Sequence, residues 1–140
     1  MKLSNRGRYA LHAMVYLAQQ RQQGPQTLHT IAEGGMPAQY LEQLLGLLRR
    51  GGLVTSVRGA QGGYSIAKDP SDITVADILR VTEGPITLSA CAKEQDACPM
   101  DGQCSTQTAF HYLTNQMNQL MRSITLHDII HQSMPKEYTT

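Results

Sequence analysis

Acidic residues are almost missing from the first half of this 140-residue chain, where Glu33 and Glu42 are the only two before position 69. Cysteine is missing from everywhere except one stretch, CAKEQDACPMDGQC, which holds all three, Cys91, Cys98 and Cys104. No run approaches 18 consecutive apolar residues, so no transmembrane helix is expected. The opening Met-Lys-Leu-Ser-Asn-Arg lacks the apolar core of a signal peptide, so a cytoplasmic location is expected. An odd cysteine count in a reducing compartment argues against a disulfide scaffold and favours metal ligation or reactive thiols. No dinucleotide fingerprint, nucleophile–base pair or second cysteine motif is present, so nothing in the sequence supports an enzyme or an electron carrier.

The net charge of +1 hides an asymmetry. Residues 1–68 carry eight basic residues against two acidic ones, a surplus of six positive charges. Residues 69–140 carry four basic against nine acidic, a surplus of five negative charges. A polyanion is attracted by the first half and repelled by the second. The length suits one domain with an appended helix.

Helical spacing of Ala10, Leu11, Met14, Val15, Leu17 and Ala18 predicts a first helix over residues 4–20, with Ser4 as its cap. Gly24-Pro25 closes it, and a short helix over 28–33, capped by Thr27, ends at the Gly34-Gly35 turn. Pro37 suits the first position of a third helix whose stripe is Leu41, Leu44, Leu45 and Leu48. Arg49 and Arg50 favour its C-terminal end, and Gly51-Gly52 stop it. Two helices joined by a tight glycine turn form a helix-turn-helix signature. Residues 53–58 and 64–67 are β-rich around Gly59-Ala60-Gln61-Gly62-Gly63, which predicts a hairpin directly after the reading helix. The expected fold is therefore mainly α: a winged helix-turn-helix with a two-stranded β wing.

Thr74 and Asp77 predict a capping box for a fourth helix, ended by Gly84-Pro85. From about residue 105 to 124 a long helix shows Phe110, Leu113, Met117, Leu120 and Ile124 at alternating spacings of three and four. Such a seam packs against another helix, and in a chain this short a second copy is favoured, giving a homodimer. Thr125 and Asp128 predict a short terminal helix. The expected division is a DNA-binding domain over 1–83, a cysteine loop over 84–105, a dimerisation helix with the terminal helix over 106–132, and a tail over 133–140.

Cys91, Cys98 and Cys104, spaced by six and five residues, can wrap an iron–sulfur cluster, since thiolates are its usual ligands. Zinc and unliganded thiols remain alternatives, although the C-x2-C pairs common in structural zinc sites are absent. On the DNA side, arginines neutralise phosphates and the exposed start of the third helix reads base edges in the major groove. Ala38, Gln39 and Tyr40 occupy its first turn, with Gln43 one turn on and Arg49 near its end. Gln39 and Gln43 suit adenine edges or open solvent, and Tyr40 suits a phosphate. Arg58 and Gln61 in the wing reach toward the minor groove. Arg6 and Arg8 at the start of the first helix suit the DNA backbone. Glu42 either pairs with an arginine or repels unwanted contacts.

The stretches LSNRGRYAL and YLEQLLGLLRRGGLVTSVRGAQGGY, the later EGP, and the cysteine segment followed by SITLHDII resemble the bacterial regulator family that includes IscR and NsrR. The resemblance spans roughly residues 1–130. It implies a dimeric winged-helix transcription factor in which the three cysteines hold a 2Fe–2S or 4Fe–4S cluster whose state alters DNA affinity. The stimulus it implies is iron supply, redox state or nitric oxide. IscR-like members carry a ligand histidine three positions after the last cysteine, where this chain has Gln107. NsrR-like members draw a carboxylate from just after the RG pair, where this chain has Arg8. Candidates for a fourth ligand are Gln107, His111, or His29 and Glu33 of a partner subunit. Direct thiol oxidation without a cluster is the alternative mode of sensing, and a winged helix serving protein assembly alone is a further one.

Overall fold

The Ser4 hydroxyl accepts a hydrogen bond from the Gly7 amide and opens helix α1, Asn5–Gln19. This is the cap predicted from the sequence, satisfying an amide that has no partner inside the helix. A computed structural model describes residues 3–88 and 104–134. After α1 comes a 3-10 turn, Arg21–Gln23, and then Thr27 caps the short helix α2, Leu28–Ala32.

Helix α3, Ala38–Arg50, turns Leu41, Leu44, Leu45 and Leu48 into the core, each at most 1% exposed. Pro37 stands one place earlier than expected, at the N-cap. Its ψ of 124° is extended, and its carbonyl accepts the first helical bond, from the Leu41 amide at 2.9 Å. Proline fixes φ but leaves ψ free, so the residue is compatible with either position.

Strands β1, Val54–Val57, and β2, Gly63–Ile66, pair antiparallel with Val54 opposite Ile66 and Val57 opposite Gly63. Gln26 extends this hairpin by one bridge: its amide donates to the Tyr64 carbonyl at 2.9 Å and its carbonyl accepts from the Tyr64 amide at 2.8 Å. The approach is so close that a Cβ on Gly63 would lie 2.4 Å from the Gln26 oxygen. Only glycine fits there.

A second 3-10 turn, Pro70–Asp72, leads into helix α4, Val75–Glu83, which carries the predicted capping box between Thr74 and Asp77. Helix α5, Ser105–Ser123, and helix α6, Leu126–Ile130, complete the described chain, and Thr125 with Asp128 forms a second capping box. One apolar cluster joins Ala10, Ala13, Met14 and Leu17 of α1 to the α3 leucines, Ile73, Ile78 of α4 and Leu126 of α6. The terminal helix is thus sewn into the main body. The Leu126 amide donates to Ile73 and the Val75 amide to Ile124, each at 2.9 Å. The architecture is a mainly helical winged helix with a two-stranded antiparallel wing.

Candidate nucleic-acid interface and cysteine segment

The four buried leucines of α3 fix which of its faces is free. Gln39, Glu42, Gln43, Arg49 and Arg50 are exposed, and Glu42, Gln43, Gly46, Leu47 and Arg50 line a shallow groove of about 480 Å³ on that outer face. Ala38 is exposed at its start. Of the two roles expected of Glu42, the arginine pair is not formed: it is exposed and makes no ion pair among the described residues. Arg50, expected only as a charge favouring the helix end and not as a DNA contact, shares the groove with Glu42 and Gln43. Its i+7 spacing from Gln43 was the available signal.

Tyr40 is half-buried and packs edge-on against Tyr9, with ring centres 5.7 Å apart at 74°. Arg8 lies over the other ring of this pair, 5.4 Å from the Tyr9 centroid, and donates to Asn5 Oδ1 at 3.2 Å. The start of α1 and the start of α3 are therefore held together through two aromatic rings, a contact that favours an adjacent cation. Arg6 is exposed on the same opening turn of α1.

The five residues between the strands, 58–62, form the wing tip. Arg58, Gly59, Ala60 and Gln61 are all exposed. Gly59 takes φ +110°, and a Cβ on Gly62 would meet the Val57 carbonyl oxygen at 2.1 Å, so both glycines are dictated by the tightness of the turn. Arg49 Nη1 donates to Ser56 Oγ at 3.2 Å, tying the end of α3 to the wing. An arginine on a short rigid hairpin beside a helix with a free polar face is suited to duplex DNA, with the helix in the major groove and the wing alongside.

Gly7 shows why α1 and α4 cross where they do. A Cβ there would sit 2.5 Å from Glu83 Oε1 and 3.2 Å from Leu79 Cδ2. The Glu83 carboxylate accepts from the Gly7 amide at 3.1 Å and from the Ser4 hydroxyl. The last residue of α4 thus grips the first turn of α1, which carries Arg6 and Arg8. This link joins positions 76 and more residues apart, and no local pattern announces it.

Cys104 is the N-cap of α5 and partly exposed. The Thr106 hydroxyl 2.7 Å from its sulfur, with the amides of Gln107 and Thr106, holds the thiol below its ordinary pKa. A thiolate favoured in this way is a competent soft ligand or nucleophile. The chemistry of this donor fits an iron–sulfur centre. Cys91 and Cys98 lie outside the described residues, and among the described residues no three metal-binding side chains converge.

Of the fourth-ligand candidates, Gln107 and His111 stand one turn apart on α5, both half-buried. His29 and Glu33 are strongly exposed and face each other across one turn, Nε2 to Oε1 3.6 Å. Glu33 and Arg8 line one open cleft of about 580 Å³ between α1 and α2. On the near side of the cysteine segment, the Leu88 amide donates to Thr114 Oγ1 at 3.3 Å and Asn118 Nδ2 to the Ile86 carbonyl at 3.2 Å. Both flanks of the segment are therefore fastened to α5. No described helix is long and apolar enough to cross a membrane.

A sequence profile of the Rrf2 family, described as an iron-dependent transcriptional regulator, matches residues 3–132. The chain is 36% identical over 131 residues to the HTH-type transcriptional regulator IscR of Photorhabdus laumondii, covering 93% of this chain and 79% of that one. It is similar to the solved structure of CymR, the global cysteine regulator of B. subtilis, with a TM-score of 0.81 and 35% identity over 94% of this chain and 98% of the other. It is also similar to IscR of T. potens, with a TM-score of 0.75 and 37% identity over 100% of this chain and 93% of the other.

Proposed function

This chain belongs to the Rrf2 family of transcriptional regulators, and we propose that it is a homodimeric DNA-binding regulator whose grip on its operator is set by an iron–sulfur cluster on Cys91, Cys98 and Cys104. The observation that carries the reading is the placement of Cys104 at the N-cap of α5, its sulfur 2.7 Å from the Thr106 hydroxyl, within a segment whose other flank is strapped to the same helix. Bound there, the cluster would supply an iron centre sensitive to oxidation, to iron supply or to nitric oxide.

The chain's own residues carry the rest. Gln39 and Gln43 on the free face of α3 read base edges, and Ala38 leaves room for close approach of the helix start. Arg6, Arg8, Tyr40 and Arg49 meet phosphates, and Arg58 with Gln61 reaches from the wing. Residues 1–83 form the reading unit, 84–105 the sensing loop and 106–132 the dimer-forming part. Ordering of the loop pulls on α4 through residues 84–88. Glu83 passes that pull to the first turn of α1, where Arg6 and Arg8 stand.

The exposed side of Cys104, whose thiol Thr106 favours in its thiolate form, supports a second mode, direct oxidation of the same thiols. Anaerobic isolation with iron and sulfide analysis separates the two. Coloured protein with both elements bound is expected. Colourless protein free of sulfide, whose thiols oxidise reversibly with loss of DNA binding, would establish the cluster-free mode instead.

A further inference from the structure

Helix α6 has only five residues and is held by its capping box and by Leu126, which is fully buried. A helix this short does not sustain itself. Its outer side carries His127, and His131 is its C-cap, four positions on, with the His131 amide donating to the His127 carbonyl at 3.0 Å. Their rings stand 4.2 Å apart, centre to centre, tilted by 51°. Both side chains are exposed, so small rotations bring one nitrogen of each to a common point without displacing packed neighbours.

The geometry points to a chelating site for a late first-row divalent cation on α6, formed by His127 and His131. Two imidazoles one turn apart on a single helix face are the donor arrangement that binds zinc in helical metal motifs, and imidazole nitrogen suits zinc, copper and nickel. The carboxylate next to His127, Asp128, is already committed: its Oδ2 accepts from the Thr125 amide at 3.0 Å, and that backbone bond lowers its pKa. It therefore stays ionised beside the pair and contributes negative potential without competing for the ring nitrogens. The other exposed histidine at this spacing from a polar partner, His29, faces Glu33 instead of a second imidazole. Water fills the remaining coordination positions. The site is separate from the cysteine segment and does not depend on what that segment binds.

A cation shared by His127 and His131 crosslinks the one turn that α6 possesses. That turn follows Leu126, which lies in the core, and its N-cap Thr125 pairs with Thr74 at the start of α4, so the crosslink stabilises the folded body over the unfolded chain. The test is a Zn2+ titration of the full chain, free of oxygen and carried past saturation of the three thiols, followed by imidazole nitrogen NMR. His127 and His131 are expected to shift and saturate together, while His12 and His29 stay in place. His127→Gln and His131→Gln are each expected to weaken the event about tenfold, as for loss of one arm of a chelate. Zinc should also raise the Tm of the parent protein more than that of the double variant. Imidazoles unmoved once the thiols are filled, one histidine responding alone, or a double variant equal to the parent would each overturn the site.

Discussion

Helices α3 and α5 carry the same kind of apolar stripe and meet opposite fates. In α3, thirteen residues long, four leucines vanish into the core. In α5, nineteen residues long, the only buried residue is Thr114, while Phe110, Leu113, Leu120 and Tyr112 stay 36 to 63% exposed. Periodicity says that a face needs cover; it does not say whether the cover comes from the same chain. The α3 stripe is covered by α1, α4 and the wing strands, and each buried leucine is worth about 1.5–3 kcal/mol. The α5 seam gains that only when something else packs on it, and a second copy of α5 offers the matching spacing.

The sharpest way to break this comparison is to treat the two stripes alike. Leu44→Ala is expected to cost about 2–5 kcal/mol in denaturant unfolding, because a cavity opens where nothing collapses to fill it. Leu113→Glu should leave the fold intact yet dissociate the proposed dimer, as read by sedimentation. If the first variant proves harmless, or the second unfolds the protein, the assignment of core and seam is reversed. A smaller effect sharpens the contrast from the other side. Arg58→Ala should leave both stability and dimerisation unchanged while reducing the slope of log affinity for DNA against log salt by about one.

Much of this was legible in the sequence wherever the cause is local. Both capping boxes, Thr74 with Asp77 and Thr125 with Asp128, are read from a three-residue spacing and appear as written. The α3 leucines and the glycine-rich wing tip follow from helical periodicity and turn chemistry in the same way. What escaped are single contacts across long stretches of chain. The Gln26–Tyr64 bridge, the grip of Glu83 on Gly7, and the Arg21–Asp69 ion pair at 2.8 Å leave no periodic trace.

The division of charge was legible in number but not in space. Arg21 of the basic half pairs with Asp69 of the acidic one, and Leu126 of α6, from the acidic half, lies in the core with the α1 residues. Charge asymmetry along the chain therefore does not mark two separate bodies. Candidate site residues fared by the same rule. Exposed positions such as Gln39, Gln43 and Arg58 could be named, but the tethering of Tyr40 through Tyr9 to Arg8 depends on a tertiary contact between helices.

Control of the reading head by the cysteine segment is the central proposal. Its most direct test is the affinity of purified protein for its operator duplex, measured at fixed salt with the proposed iron–sulfur centre in place and again after its removal. A clear difference between the two forms is predicted, with dimerisation unchanged. Equal affinities would contradict it.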